Sequence, residues 1–216
     1  MEAITNNLDL FRQGYLRSLG ICRGGLVGSL LLGSVIAACR VSPIPPLQWI
    51  GTWWVNVFRN TPLTLVLFFV AFGLPEVGVN AAYYTFGLAG LILYTSAFVC
   101  EAIRSGINSV PAGQAEAARS IGLTFSQSLV QVVMPQALRT VIPPLGSVLI
   151  AMFKNSAVLG AFGVGRDLFQ VGQTLTSAQG YAVLPVLLGV AVGYLLITLP
   201  AGGILAVLER KVAIAR

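Results

Sequence analysis

Charged residues are scarce in this sequence. Asp, Glu, Lys and Arg make up only 9% of its 216 residues, whereas 56% are hydrophobic and the mean hydropathy is +0.85. A water-soluble domain keeps roughly a quarter of its residues charged so that its surface stays hydrated. A surface with so little charge faces lipid, and we therefore expect an integral membrane protein.

Histidine is absent, and the three cysteines, Cys22, Cys39 and Cys100, lie far apart in apolar stretches. The first absence excludes a histidine-based catalytic relay, and without a cysteine pair at metal spacing the sequence offers no zinc site. Paired acids, a Gly-x-Ser-x-Gly elbow and a nucleotide-binding Gly-x-x-x-x-Gly-Lys-Ser/Thr loop are also missing. An intramembrane enzyme is thus a weak alternative, and we expect neither catalysis nor a bound cofactor in this chain.

The sequence also lacks the basic-then-apolar order of a cleaved signal peptide, because residues 1–18 are mixed polar. From residue 8 onward, Leu8, Phe11, Tyr15 and Leu19 recur at helical spacing. This pattern predicts a short amphipathic helix at residues 8–17 that lies in the membrane interface. We therefore expect residues 1–18 to form an external N-terminal segment.

Five apolar runs approach the ~20 residues that cross ~30 Å of hydrocarbon. They cover residues 19–39, 49–74, 84–103, 137–161 and 184–208. The predicted fold is therefore an all-α integral membrane protein with about five transmembrane helices. Its membrane domain covers residues 19–208, and residues 209–216 form a tail.

The net charge of +6 is distributed singly at the ends of apolar runs, with no basic patch and interleaved aromatics, so we expect no nucleic-acid partner. Cytoplasmic loops carry the excess of Lys and Arg in membrane proteins. If the N-terminus is outside, three cations face outward (Arg12, Arg17 and Arg166) and eight face the cytoplasm: Arg40, Arg59, Arg104, Arg119, Arg139, Arg210, Lys211 and Arg216. This count predicts an external N-terminus and a cytoplasmic C-terminus.

Polar residues and prolines interrupt the second and fourth runs. The second contains Arg59 to Pro62, and the fourth contains Pro143, Pro144 and Lys154 to Ser156. Ionisable and amide groups within a span usually face a cavity or a partner. We interpret four of them as lining a substrate pathway, with interhelical hydrogen bonding as the alternative: Asn60, Thr61, Lys154 and Asn155.

Glu101 and Arg104 form a pair at i, i+3 near the end of the third run. Such a pair is often a simple interfacial ion pair. A gating or structural role beside the pathway is the alternative, and the sequence leaves both open.

A polar insert of about thirty residues, roughly 104–136, separates the third and fourth runs. Pro111 suits the first turn of a helix, residues 115–121 are mostly good helix formers, and Gly122 sits where a left-handed cap would end that helix. Thr124 or Ser126 can cap a second helix beginning near Phe125. The insert therefore predicts a short helix, a sharp turn and another helix.

This insert resembles the EAA loop of bacterial ABC importer permeases. The resemblance lies in the spacing: Glu116-Ala117-Ala118, three residues, Gly122, nine residues, then Val132-x-Met134-Pro135, where valine and methionine replace the usual isoleucine and leucine. Further segments are similar to the polar amino-acid subclass, which includes histidine and glutamate permeases: residues 59–63, Glu101 with Arg104, Gly113-Gln114 and residues 154–156.

The resemblance implies a type I ABC importer fold in the bacterial inner membrane. In that family the short helix docks onto a cytoplasmic ATPase, so the coupling residues would be Glu116, Ala117, Ala118, Gly122 and Pro135. The implied partners are an ATPase dimer that binds ATP and Mg²⁺, a sister permease or second copy of this chain, and an extracytoplasmic amino-acid-binding protein.

The sequence gives one indication of the amino acid carried. Lys154 within a span favours an anionic or carboxamide substrate, such as glutamate or glutamine. The main alternative function is an ion-coupled secondary carrier or channel subunit, which would need inverted repeats or a relay of buried acids. Apart from Glu101, the sequence places no acid well inside a predicted span.

Overall fold

The computed structural model describes residues 2–212, and its regular elements are all helices. Helices satisfy every backbone donor and acceptor within one segment, which lipid requires because it supplies no hydrogen-bonding partner. In chain order they are α1 (Glu2–Thr5), α2 (Leu8–Val41), α3 (Pro45–Asn60), α4 (Leu63–Phe68), α5 (Leu74–Glu76), α6 (Tyr83–Asn108), α7 (Ala112–Ser120), α8 (Phe125–Ser128), α9 (Met134–Asn155), α10 (Ala157–Ala161), α11 (Leu168–Gln173) and α12 (Val183–Val212). Single π-helical turns lie at Phe69–Gly73, Leu129–Val133 and Thr174–Ala178.

Four helical stretches are long and apolar enough to cross a membrane: Leu8–Val41, Tyr83–Asn108, Phe125–Ala161 and Val183–Val212. The bent pair Pro45–Asn60 and Leu63–Glu76 raises the count to five if it forms one span. The all-α membrane architecture with about five spans is therefore confirmed. We call the end of the bundle with Arg40, Arg104 and α7 the loop end, and the end with Gly78, Tyr83 and Phe162 the opposite end.

The predicted interface helix at residues 8–17 is wrong as a separate element, because α2 runs unbroken from Leu8 to Val41. No proline interrupts it, and Gly20 costs only about 1 kcal/mol in a helix interior. The residues of the predicted apolar face also do not share one environment. Leu8 is exposed, whereas Phe11 is buried and lies beside Gly189 of α12.

The predicted second span is also not one continuous helix. Its two halves meet at 104°, with Thr61 and Pro62 in extended conformation between them. A residue before proline is disfavoured in the helical region, so the helix ends where the sequence places Pro62. The second half, Leu63–Glu76, has a helical rise of only about 21 Å.

The first half of that pair, α3, packs against the loop-end parts of α2 and α6. Gly51 lies against Arg40 and the Ile36 carbonyl of α2, and the Trp54 indole N–H donates to Ser96 Oγ of α6 at 3.0 Å. These contacts place α3 across the loop end of the bundle. Only Leu63–Glu76 continues toward the opposite end, where Phe72 packs beside Tyr83 and Phe162.

Two further boundaries differ from prediction. Pro143 and Pro144 do not interrupt the fourth span, because α9 continues through both and the break comes at Ser156. The predicted tail at residues 209–216 is helical as far as Val212, as the last part of α12, and residues 213–216 lie outside the described residues.

The most extensive helix–helix packing in the bundle joins α2 to α6. Gly33 shows why glycine is needed there: a Cβ would lie 2.5 Å from Val99 Cγ1 and 2.8 Å from the Ser96 carbonyl oxygen. Small residues let helices approach closely in lipid, where the hydrophobic effect does not drive association. Three other α2 glycines also lie against other helices: a Cβ would lie 3.1 Å from Leu88 at Gly24, 2.8 Å from Met152 at Gly25 and closer still to Ile92 at Gly28.

Candidate functional site

The polar insert folds as predicted into a helix, a sharp corner and a second helix. Helix α7 begins after Pro111, which caps it rather than filling its first turn, and ends before Gly122 at φ +92°. The Gly122 N–H donates to the Arg119 carbonyl at 3.0 Å, and the Leu123 N–H donates to the Ala118 carbonyl at 3.2 Å. These two bonds are the Schellman arrangement, which satisfies the free carbonyls of the last turn.

The second helix begins at a capping box formed by Thr124 and Gln127. The Gln127 N–H donates to Thr124 Oγ1 at 3.3 Å, and the Thr124 N–H donates to Gln127 Oε1 at 2.9 Å. The prediction of a cap at Thr124 is confirmed. Only Leu123 separates the Gly122 cap from Thr124, so the angle between α7 and the next helix is fixed on both sides of the corner.

The predicted coupling residues lie mostly on the accessible surface. Glu116, Ala117, Gly122 and Pro135 are exposed, whereas Ala118 is buried. Ile121, which the sequence analysis did not single out, is 79% exposed beside Gly122. The Ile121 side chain lies outside the predicted spans, so contact with another protein would remove this apolar surface from water.

Glu101 forms more than the predicted pair with Arg104. Arg104 donates to both of its carboxylate oxygens, from Nε at 2.9 Å and from Nη2 at 3.2 Å. Arg40 of α2 donates to Oε1, and Arg59 of α3 donates to Oε2 at 3.1 Å. One carboxylate therefore joins three helices at the loop end, with three positive charges around it.

Sequence reasoning missed Arg40 and Arg59 as partners because they lie 61 and 42 residues away along the chain. The sequence does contain one signal for these partners, which is the excess of arginines over acids near the ends of the apolar runs. Arg40, Arg59 and Arg104 lie near the ends of three apolar runs, and Glu101 is the nearby acid. Buried or half-buried cations require such a partner.

The residues assigned to the substrate pathway lie in two places: Asn60 and Thr61 at the end of α3, and Lys154 and Asn155 at the end of α9. Asn60 Nδ2 donates to the Asn56 carbonyl at 2.7 Å, and Thr61 Oγ1 donates to the Val57 carbonyl at 2.8 Å. Both side chains thus satisfy free carbonyls at the end of α3. Neither residue lines the five cavities of about 150 to 670 Å³ in the described part of the chain, and their place in a passage stays a prediction.

Lys154 is exposed, and Asn155 lines a cavity of about 150 Å³ in the bundle. Tyr94 and Phe98 of α6 share its wall, and their rings lie 5.0 Å apart. The Arg59 guanidinium lies 5.7 Å from the Phe98 ring centre, a cation–π contact. The aromatic pair therefore connects the Asn155 cavity to the Glu101 cluster.

A buried acid outside the predicted spans was also missed. Asp167 is fully buried, caps α11 by accepting from the Gln170 N–H at 3.0 Å, and accepts from Tyr194 Oη at 2.7 Å. The neighbouring Leu168 N–H donates to Ser18 Oγ of α2 at 3.1 Å. Burial raises the pKa of the Asp167 carboxyl, although the hydrogen bonds from Gln170 and Tyr194 oppose the shift.

Comparison with known proteins gives one matching family. The sequence profile described as "Binding-protein-dependent transport system inner membrane component" matches residues 29–214. The match includes every predicted site residue, from Asn60 to Asn155.

Three relatives match over most of their length. The probable glutamine ABC transporter permease protein GlnM of Bacillus subtilis is 40% identical over 93% of this chain and 92% of its own. The glutamate transport system permease protein GluC of Corynebacterium efficiens is 42% identical over 88% of each chain. The arginine transport system permease protein ArtQ of Bacillus subtilis is 33% identical over 79% of this chain.

Solved structures show the same architecture. The crystal structure of an amino acid ABC transporter with histidines superposes with a TM-score of 0.88 at 32% identity, covering 96% of both chains. An inward-facing form of the MetNI methionine ABC transporter superposes at 0.73 with 23% identity, a likeness that concerns the fold alone.

Proposed function

We propose that the substrate of this chain is glutamine or glutamate, because the chain belongs to the family of binding-protein-dependent transport inner membrane components. It is a permease subunit for polar amino acids. The two relatives named for these substrates support the choice, because each exceeds the arginine permease in identity to this chain. Ion-coupled carriage and intramembrane catalysis are not favoured by these relationships.

The proposal of an ATP-driven mechanism rests on the exposed surface of α7. Glu116, Ala117 and Ile121 are accessible on a helix whose end is fixed by the Gly122 and Thr124 caps. A helix with small side chains and a fixed corner can enter a groove and transmit its movement. We assign the groove to a separate ATPase dimer, which binds the ATP and Mg²⁺ that this chain has no motif to hold.

The remaining partners follow from the size of the bundle. About five spans form a small translocation unit, so the chain would pair with a sister permease or a second copy of itself. An extracytoplasmic binding protein would deliver the amino acid at the opposite end. The protein is a multi-pass membrane protein, and we propose that its N-terminus is outside and its C-terminus is in the cytoplasm.

Reconstitution tests this proposal. Vesicles that contain the permease pair and the ATPase should accumulate glutamine or glutamate when ATP and the binding protein are both present. Omission of either component should abolish uptake. Uptake driven by a proton or sodium gradient without ATP would contradict the proposal, and preferential uptake of arginine would contradict the substrate choice.

Lys154 offers a sharper test of the pathway. If its ammonium group attracts a substrate carboxylate, Lys154→Met should lower uptake while leaving assembly with the ATPase intact. The loss should be larger for glutamate than for glutamine, because only glutamate loses a second charge interaction. Equal losses with impaired assembly would instead indicate a structural lysine.

A further inference from the structure

A cavity of about 550 Å³ lies at the loop end, between the bundle and α7. Three arginines from three helices line it: Arg40 at the end of α2, Arg104 near the end of α6, and Arg119 in the last turn of α7. Apolar side chains, including Phe125 and Leu129, form other parts of the wall. We call this space the arginine cavity.

The positive charge of the arginine cavity is not fully neutralised by acidic side chains. Within residues 2–212, no acidic side chain lines it and Arg119 forms no ion pair. Arg40 and Arg104 share Glu101, yet a guanidinium has five N–H donors, and Glu101 uses one atom of Arg40 and two of Arg104. All three arginines therefore retain donors for an anion.

Ser128 gives a second and independent indication of a ligand. It lines the arginine cavity and is only 4% exposed, and its hydroxyl has no hydrogen-bond partner among the described residues. A serine within a helix usually donates to the carbonyl three or four residues earlier. A buried hydroxyl without a partner is rare in folded proteins, and a bound molecule that hydrogen-bonds to it would account for this one.

We propose that the arginine cavity binds the phosphate group of an anionic phospholipid. Phosphate oxygens accept paired bonds from guanidinium groups and single bonds from hydroxyls, which are the donors present. The cavity lies where α2 and α6 end, and the phosphate layer of a bilayer lies at the ends of its spanning helices. Its mixture of arginines and apolar walls suits a molecule with a charged head and an apolar tail.

Native mass spectrometry of the detergent-purified full-length chain with its partner subunits tests this site. Phosphatidylglycerol or phosphatidylcholine is added after lipid removal, and the retained lipid is counted. We expect preferential retention of phosphatidylglycerol, with affinity reduced about tenfold by Arg119→Gln and about fivefold by Ser128→Ala. Matched controls are Arg139→Gln and Ser126→Ala, which alter exposed residues that do not line the cavity.

Equal retention of phosphatidylglycerol in all four variants would overturn the proposal. Displacement of the lipid by millimolar inorganic phosphate would support the phosphate chemistry, whereas phosphate binding without lipid retention would overturn the lipid assignment. Ser128→Ala keeps the helix shape, so it remains informative if Arg119→Gln fails to assemble. The readout needs no transport, so its failure is distinguishable from failure of the proposed substrate.

Discussion

Glu101 is the acceptor for arginines of three helices, so its neutralisation leaves several positive charges without a counterion. Glu101→Gln should lower the free energy of unfolding of the purified chain by about 1–3 kcal/mol. Glu76→Gln is the control, because Glu76 is exposed on α5. Chemical denaturation in detergent measures both, and equal effects would show that the cluster contributes little.

Asp167 predicts a pH dependence. Its pKa in the folded protein is raised above 3.8 because burial disfavours the charged form, so the folded state holds the proton more tightly than the unfolded state. The contribution of Asp167 to stability is therefore fully present below pH 3.8 and is lost as the pH rises through the folded pKa.

Asp167→Asn should remove that dependence, because the amide oxygen can still accept from the Gln170 N–H but does not titrate in this range. Unfolding measured at a series of pH values checks the slope. Asp9→Asn, at an exposed position of α2, should keep the wild-type slope. A slope unchanged in Asp167→Asn would show that another group is responsible.

At the scale of elements, Gly122 and Gly113 form a matched pair. A Cβ would find open space at both, but Gly122 has φ +92° whereas Gly113 lies within α7. Gly122→Ala should therefore cost about 1–2 kcal/mol of strain at the corner, while Gly113→Ala should be neutral or stabilise α7 by up to about 1 kcal/mol.

The functional readout is ATPase coupling. Gly122→Leu should weaken ATPase association or uncouple hydrolysis from uptake, and Glu116→Lys should act likewise by charge reversal. Both variants should still insert into the membrane. Full uptake by both would remove α7 from the coupling contact.

The polar insert was predictable because its signals are local. Proline, glycine and a threonine–glutamine pair each determine the backbone within three or four residues. The position of α3 was not predictable in this way. Pro62 indicates where the helix ends, but the 104° turn depends on packing of Gly51 and Trp54 against helices distant in sequence.

The contrast between local signals and tertiary packing also explains which site residues could be predicted. Glu101 and Arg104 are visible as a pair because they lie on one helix turn, while Arg40 and Arg59 join them only through tertiary packing. Asp167 was overlooked because it lies between predicted spans, where acids are normally solvated. Tyr194 of α12 donates to its carboxylate, and Ser18 of α2 accepts from the N–H of the neighbouring Leu168, so helices from both ends of the chain enclose this position.

For the whole molecule, α1 and the start of α2 lie at the opposite end of the bundle and α12 finishes at the loop end. Contacts of Phe11 with Gly189 and of Gly146 with Leu205 establish these positions. A Cys-free variant carrying Gln114→Cys should react with a membrane-impermeant thiol reagent only from the cytoplasm, and one carrying Asn80→Cys only from outside. The reverse pattern would overturn the proposed orientation.

The corner at Gly122 and Thr124 also has a mechanical consequence. From Phe125 to Asn155 the backbone is helical throughout, a rise of about 46 Å. Because both caps hold α7 at a fixed angle to this long helix, a movement of α7 would tilt the helix, with α7 as the short arm of a lever. A tilt of about 5° about the loop end would displace the Asn155 end by about 4 Å, on the scale of the side-chain contacts that open or close a passage.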